Sequence, residues 1–191
     1  MIFDPAICPH PFTLAIIREH GQSRSHRSFV RYAVRAVVLR NGKYLMVHSS
    51  VAGDYKFPGG GMKHGERHEQ ALARELREET GRLLKQVITL LGVAIEFDLL
   101  QESEMSIFRM VSFYYLCNLE PGIHPLDLDP YEIELGFTPL WVTPTNALEQ
   151  NERLGQQNGN LQPFWLAREI AVLHALEPIL GMTGTPSENL K

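Results

Sequence analysis

The chain has 191 residues, of which 44% are hydrophobic and 21% are charged, and its formal net charge is −4 at pH 7. These values are ordinary for one soluble globular domain, and the charge gives no electrostatic indication of nucleic-acid binding. No apolar run approaches the roughly 20 residues of a membrane span, and we expect no signal peptide at the N-terminus. The only cysteines, Cys8 and Cys117, are too few for a disulfide framework and favour a reducing cytoplasm.

The first third of the sequence predicts a leader followed by a β-hairpin. Residues 1–28 are interpreted as the leader, with a short helix or strand at Phe12–Arg18. Two runs rich in β-branched and apolar residues follow, at Val30–Leu39 and Lys43–His48. Asn41-Gly42 lies between the two runs, which is a strong signal for a hairpin.

The remainder predicts alternating strands and helices up to residue 180. Gln86–Asp98 indicates a strand pair, or one long strand broken near Gly92. The near-continuous apolar character of Ser106–Leu119 is typical of a central strand that is covered on both faces. The other predicted elements are a polar connection at Leu99–Met105, an irregular loop at Pro121–Tyr131, a strand at Phe137–Val142, a helix at about Asn146–Arg153, and a last helix at Leu161–Leu180 that Pro178 would end. The main domain is thus predicted to span residues 29–180, and residues 181–191 to form a disordered tail.

The most informative stretch runs from Gly60 to Gly81, where a glycine-rich turn leads into a helix predicted at about His68–Thr80. With Glu75 at zero on a helical wheel, Glu78 lies near −60° and Glu79 near +40°, since each residue advances about 100°. The three carboxylates therefore share one face of the helix. A stripe of leucines lies beside them on the same wheel, at Leu72, Leu76 and Leu83, and we expect these leucines to dock the helix against the core. Gly81 is expected to cap the helix.

Three carboxylates at this spacing repel one another unless a positive charge neutralises them. Arg74 can neutralise part of the charge, because it lies four residues before Glu78. The rest calls for a bound cation, and hard oxygen ligands favour Mg²⁺ or Mn²⁺ over zinc.

The segment resembles the nudix box, the signature of the nudix hydrolases, which extends here from Gly60 to Arg82. The matching positions are Gly60, Glu66, Arg74, Glu75, Leu76, Glu78, Glu79 and Gly81. Arg82 is a mismatch, because the family pattern has an aliphatic residue there. The resemblance implies an α/β protein, with an α/β/α sandwich around a mixed β-sheet, that hydrolyses a diphosphate linkage with the help of Mg²⁺ or Mn²⁺.

The resemblance also implies roles for individual residues. The Gly60 carbonyl, Glu75, Glu78 and Glu79 would hold the metal, while Glu75 is either a ligand or the base that activates water. Glu75, Glu78 and Arg74 are therefore the expected catalytic residues, with Arg74 holding the carboxylates in place. Gly59 and Gly61 would let the backbone approach the phosphate region, and Glu66 would organise the loop. A further acid is expected from a loop, with Glu132 and Glu134 as candidates and Glu102 and Glu104 as others.

The substrate stays open at this stage. The expected partner is a nucleotide-type small molecule: a nucleotide sugar, a dinucleotide or a nucleoside triphosphate. Two alternatives from other classes are a binding or regulatory module that has lost catalysis, and an isomerase of isoprenoid diphosphates. The isomerase would need a catalytic cysteine, yet Cys117 lies in an apolar strand and is expected to be core. The number of metal ions, the general base and a homodimeric assembly are not decided by the sequence.

Overall fold

The computed structural model describes residues 11–17, 27–100, 106–157, 163 and 165–180. These residues contain the strands β1 (Phe12–Ile17), β2 (Arg27–Val37), β3 (Leu39–Arg40), β4 (Lys43–Ser49), β5 (Tyr55–Lys56), β6 (Leu84–Leu100), β7 (Ser106–Leu119) and β8 (Phe137–Val142), and the helices α1 (His68–Thr80), α2 (Pro130–Glu134), α3 (Pro144–Gln157) and α4 (Leu166–Leu180). None of the helices in the described ranges combines the length and apolar character needed to cross a membrane.

The strands form a larger mixed sheet and a smaller antiparallel one. The mixed sheet has the order β1-β6-β7-β2, in which β1 and β6 are parallel, β6 and β7 antiparallel, and β7 and β2 parallel. In the smaller sheet β4 pairs with β3, β5 and β8. The predicted hairpin is confirmed only next to its turn, where Leu39 and Arg40 pair with β4, because most of the run Val30–Leu39 belongs to β2 and pairs with β7 in the mixed sheet. The expected central strand is confirmed, because β7 lies between two neighbours in the mixed sheet.

Two hydrophobic cores lie against the sheets. One core joins α3 and α4 to the strands through Tyr44, Tyr114, Ala147 and Leu176, and the other joins α1 to the strands through Leu72, Leu76, Leu45 and Tyr115. Helices therefore cover the strands from two sides. The predicted α/β/α sandwich with a mixed sheet is confirmed.

Strand β6 is one continuous strand, and the irregularity predicted near Gly92 is a shift in its pairing with β7. The register changes between Leu90 and Gly92. A Cβ atom at Gly92 would lie 2.3 Å from the ring of Phe12, so only glycine leaves room for that ring. The sequence left open whether Phe12–Arg18 forms a helix or a strand, and the structure shows the strand β1 at Phe12–Ile17.

Helix α1 has the predicted bounds, and Gly81 caps it in the left-handed conformation with φ 64°. Leu72 and Leu76 are buried as predicted. The prediction for Leu83 is wrong, because its side chain is 37% exposed. The chain leaves the helix at Gly81, so helical periodicity no longer applies, and Leu84 packs against the core instead.

The other differences from prediction concern short or terminal segments. The loop expected at Pro121–Tyr131 ends in the short helix α2, which begins after the capping residue Asp129. Pro178 does not end α4, which continues to Leu180. A proline so close to the helix end removes only one backbone donor from the last turns. The predicted tail at 181–191 and most of the predicted leader lie outside the described residues, so the domain boundaries stay predictions.

Replacing Gly81 with alanine should destabilise the fold more than an equivalent change in open space. Alanine in the left-handed conformation costs about 1–2 kcal/mol, and a Cβ atom at this position would lie 2.1 Å from the carbonyl oxygen of His124. We expect the free energy of unfolding to fall by about 2–4 kcal/mol in urea denaturation.

Gly42→Ala is the matched control for that change. Gly42 also has a positive φ, 71°, but nothing lies within 4 Å of the position that its Cβ would take. The free energy of unfolding of Gly42→Ala should therefore fall only by the conformational cost of alanine in the left-handed region, about 1–2 kcal/mol. Equal losses in the two variants would show that the contact with His124 has no energetic weight.

Candidate active site

The glycine loop, Phe57–Gly61, lies against the edge of β2 and faces helix α1. Val34 N donates a hydrogen bond of 3.1 Å to the Gly60 carbonyl. At Gly59 φ is 138°, and a Cβ atom there would lie 2.1 Å from the Val34 carbonyl oxygen. A Cβ atom at Gly60 would lie 2.6 Å from Glu75 Oε1. Glycine is therefore required for the loop to fit between the strand and the carboxylate.

The guanidinium of Arg74 contacts three of the carboxylates predicted from the sequence. Its Nε donates to Glu66 Oε1 at 2.8 Å, and its Nη1 donates to Glu75 Oε1 at 2.6 Å and to Glu78 Oε2 at 3.0 Å. Its Nη2 donates to the Gly61 carbonyl at 3.1 Å. One cation thus connects the helix carboxylates to the glycine loop. These hydrogen bonds are charge-assisted, and those to Glu66 lower the pKa of that carboxyl group.

Glu79 is neutralised by a different cation, one that the sequence did not indicate. Lys56 Nζ donates to Glu79 Oε1 at 2.7 Å, and Gly59 N donates to Glu79 Oε2 at 2.6 Å. Glu79 is 1% exposed. The Lys56 ammonium also lies 4.1 Å from the centre of the Phe137 ring. The helix is therefore joined to the glycine loop a second time, through Glu79.

The surroundings of Glu75 strongly perturb its ionisation. Burial, and then the charge of nearby Glu79, raise the pKa of Glu75 to about 7, although Arg74 acts in the opposite direction. Two neighbouring carboxylates that have little access to water disfavour each other's ionisation. A bound cation would reverse that effect, because it favours the charged form of both groups.

Of the predicted additional acids that the structure describes, Glu132 is buried and is affected by the charge of Glu79, whereas Glu134 is not buried. Glu132 is buried at 4% exposure, and its pKa is raised first by burial and then by the charge of Glu79. Its carboxylate accepts hydrogen bonds of 2.9 Å from Asp129 N and from the Tyr131 hydroxyl. Glu134 is exposed. Glu102 and Glu104 lie outside the described residues.

A pocket of about 240 Å³ opens beside the glycine loop, and we name it the loop pocket. Cationic and aromatic side chains line it together with Gly59, Gly60 and Gly61: these are Arg31, Arg35, Lys56, Arg168, Tyr131, Phe137 and Trp165. None of these seven residues is predicted from the sequence, because they come from distant elements. The one available signal was the spacing of Arg31 and Arg35, which places both on the same face of β2.

Arg35 has unused hydrogen-bonding capacity in this pocket. It is 7% exposed, and its Nη1 donates to the Gly59 carbonyl. Its Nε is buried and has no hydrogen-bond partner among the described residues. Because a buried unsatisfied donor is costly, an anion in the loop pocket would find a group ready to bind it.

The donor atoms at this place suit a hard divalent cation. They are the carboxylates of Glu75, Glu78 and Glu79 and the carbonyl of Gly60, whose oxygen keeps a second lone pair beside the bond from Val34. Oxygen donors of this kind are those that Mg²⁺ and Mn²⁺ prefer. Within the described ranges no three His, Cys, Asp or Glu side chains converge as a metal centre. In the arrangement described, Arg74 and Lys56 neutralise the carboxylates.

Comparison with known proteins identifies the family. The family model of the NUDIX domain matches residues 30–161, more than half of the chain. The chain therefore belongs to the NUDIX domain family, which confirms the expected family and, with it, the enzyme class of nudix-type pyrophosphohydrolases. No curated protein matches the chain significantly.

Solved structures support the fold. The solution structure of the E. coli ORF135 protein is 21% identical with a TM-score of 0.50, and the match covers 83% of this chain and 95% of that one. A NUDIX hydrolase from Nitrosomonas europaea is 20% identical with a TM-score of 0.50, and the match covers 85% and 97% of the two chains. At these identities the likeness establishes the fold alone.

Removing the guanidinium of Arg74 should destabilise the protein, because three carboxylates would lose their shared counter-charge. We expect Arg74→Gln to lower the free energy of unfolding by about 2–4 kcal/mol in the presence of EDTA, since the pairs are largely but not fully buried. Urea denaturation measures the loss. Adding Mg²⁺ should recover part of it, since a second cation can then neutralise the same carboxylates.

Arg77→Gln is the control, because it removes the same charge from the same helix. Arg77 Nη1 donates to the carbonyl of Pro125 and contacts none of the carboxylates. We expect this variant to lose less than about 1 kcal/mol, with no specific response to Mg²⁺. A loss as large as that of Arg74→Gln would mean that the ion pairs of Arg74 contribute nothing particular.

Proposed function

We propose that this protein is a divalent-metal-dependent hydrolase that cleaves the diphosphate linkage of a nucleoside-diphosphate derivative. The observation that carries the proposal is a set of hydrogen bonds, in which Arg74 donates to Glu75, to Glu78 and to the Gly61 carbonyl of the glycine loop. A pocket lined by cationic side chains lies beside that loop. One wall of the site thus offers oxygen donors for a cation, and the other offers positive charge for phosphates. Hydrolysis of a pyrophosphate would use the oxygen donors to hold the metal ion and the positive charge to bind the phosphates.

In this proposal Glu75, Glu78, Glu79 and the Gly60 carbonyl hold Mg²⁺ or Mn²⁺. The metal would supply charge neutralisation and a bound water of lowered pKa. Arg74 orients Glu75 and Glu78 by donating to both, and Lys56 fixes Glu79 in contact with the loop. Two assignments for Glu75, as a ligand or as the base, remain alternatives.

The loop pocket is proposed to bind the substrate. Arg31 and Arg35 would bind phosphate oxygens, since guanidinium groups bind them in a bidentate manner. The aromatic rings of Tyr131 and Trp165 offer a surface for a nucleoside base. A nucleotide sugar, a dinucleotide and a nucleoside triphosphate all fit this description.

A screen of these three substrate groups with Mg²⁺ and with Mn²⁺, read by phosphate release after phosphatase coupling, tests the proposal. Turnover of at least one group is the expected result. Absence of turnover by folded, metal-binding protein would instead support the binding module without catalysis. The complete set of box glutamates favours the hydrolase over that module.

The isomerase alternative is disfavoured by the surroundings of Cys117. Its thiol is 1% exposed and lies in the core beneath α1, and burial raises its pKa. A thiol that stays protonated inside a core is a poor nucleophile or acid for a ligand in the loop pocket.

A cytoplasmic location and a homodimer remain expectations from the sequence, the first supported by a free cysteine.

Glu78→Gln should reduce kcat by at least about a hundredfold, because the amide keeps the shape but loses the charge that binds a metal ion. The measurement is steady-state hydrolysis of the substrate found in the screen, at saturating Mg²⁺. Glu134→Gln is the control, since this exposed residue of α2 should retain wild-type activity. Near wild-type kcat in Glu78→Gln would refute the metal assignment.

Arg31→Gln should raise KM by about tenfold with a smaller effect on kcat, because the lost contact is a charge-assisted hydrogen bond at an exposed position. A Cβ atom at Gly61 would lie 2.4 Å from Arg31 Nη2, which places the guanidinium directly over the loop. Arg109→Gln is the control, since Arg109 does not line the loop pocket. An unchanged KM would exclude Arg31 from substrate binding.

A further inference from the structure

A second and larger pocket, of about 490 Å³, lies at the C-terminal end of α1, and we name it the helix-end pocket. Its polar and aromatic lining includes Arg40, Arg82, Lys85, Glu120, Gly122 and Trp141. It shares no lining residue with the loop pocket. The volume falls in the range of small-molecule sites, roughly 300–1,000 Å³.

The charge in the helix-end pocket opposes that of the whole chain. Three cations and one carboxylate line it, although the chain has a net charge of −4. Neither the guanidinium of Arg40 nor the ammonium of Lys85 makes an ion pair or hydrogen bond with any described residue. Positive charge collected in a concave surface attracts anions.

Arg82 is held in the wall of this pocket by its backbone and by its side chain. Its backbone N donates to the Leu76 carbonyl at 3.3 Å, which completes the cap of the helix. Its Nη1 donates to the Gly122 carbonyl at 2.8 Å, which leaves other N–H groups of the guanidinium for a ligand. Arg82 is also the residue that departs from the box pattern, at a position where an aliphatic side chain would suffice for packing.

A purely structural role accounts for only part of this arrangement. Arginine near a helix C-terminus complements the helix dipole, and that explains Arg82 alone. Arg40 comes from β3 and Lys85 from β6, so neither belongs to the helix. Their convergence on one pocket therefore needs a different reason.

Trp141 supplies the apolar surface of the pocket. It pairs with Leu45 across β8 and β4 and packs against the core beneath α1, so its ring is anchored and only partly exposed. A partly exposed indole held in place by the core is a surface on which a planar aromatic group can stack.

We propose that the helix-end pocket binds a nucleoside phosphate, with the base against Trp141 and the phosphates among Arg40, Arg82 and Lys85. This site is separate from the one where hydrolysis is proposed to occur. It needs no metal ion, because the protein itself provides the cations.

The two tryptophans make the two pockets separately observable. The chain contains only Trp141 and Trp165, and each lines a different pocket. In a Trp165→Phe protein all tryptophan fluorescence comes from the helix-end pocket. With EDTA present, titration with ADP should quench it in a saturable way, and adenosine or inorganic phosphate should act at least tenfold more weakly. Equilibrium dialysis of labelled ADP in the same buffer should detect a site with the same dissociation constant as the fluorescence titration.

Matched variants decide which pocket is responsible. Arg82→Leu, which introduces the aliphatic residue of the box pattern, should weaken ADP binding at least fivefold and leave kcat for the hydrolysed substrate unchanged. Arg77→Leu removes the same charge from the same helix end outside the pocket and should change binding less than twofold. Circular dichroism during thermal unfolding verifies that both variants fold.

Three results would overturn the proposal. The first is that dialysis finds no ADP bound in EDTA. The second is that Arg77→Leu weakens ADP binding as much as Arg82→Leu, which would mean that only the overall charge of the region matters and not the position of Arg82 in the pocket. The third is that inorganic phosphate binds as tightly as ADP, which would leave the base without a role. All three results can be interpreted even if the substrate screen finds no hydrolysis, because ADP binding is measured without metal ions and without turnover.

Discussion

The structure around the box depends on the neutralisation of several carboxylates crowded into a small space. Arg74 neutralises Glu66, Glu75 and Glu78, and Lys56 neutralises Glu79. Arg74 also fixes the helix relative to the glycine loop, because it donates to the Gly61 carbonyl, and Glu79 does so by accepting from Gly59 N. The same contacts that make the charge tolerable therefore set the position of the oxygen donors.

The last helix holds the glycine loop from the other side. Phe57 N donates to Glu169 Oε2 at 3.1 Å, and Glu169 is fully buried. Arg168 accompanies it and donates to Glu169 and to Glu96 on β6. Burying such ions costs desolvation, which offsets much of the stability gained from their pairing. Their geometric effect is definite, because they tie α4, β6 and the loop together at one point.

The sequence predicted those features that depend on local spacing. The bounds of α1, its Gly81 cap and the contact between Arg74 and Glu78 all follow from helical periodicity and from residue type. The turn at Asn41-Gly42, with the short pairing of Leu39–Arg40 beside it, follows from turn chemistry, and Asn41 has the positive φ that this turn requires. Each of these involves residues only a few positions apart.

The features that the sequence could not predict come from contacts between distant segments. Lys56 lies 23 residues before Glu79, and nothing in the pattern around either residue indicates the pair. Arg31, Arg168 and Trp165 reach the loop pocket from β2 and from the region of α4, and only the folded sheet brings them together. Leu83 was misplaced for the opposite reason, because a periodicity was extended beyond the residue that ends the helix.

The segment after β7 connects the two pockets to the same helix. Arg82 donates to the Gly122 carbonyl, His124 N donates to the Gly81 carbonyl, and Asp127 N donates to the Glu78 carbonyl at 2.9 Å. The segment then enters α2, which carries Glu132. A ligand at Arg82 would therefore contact a stretch of chain that is hydrogen-bonded to the backbone of a proposed metal ligand. The mismatch at Arg82 is thus a surface feature of the box, placed where the helix ends and outside the group of carboxylates.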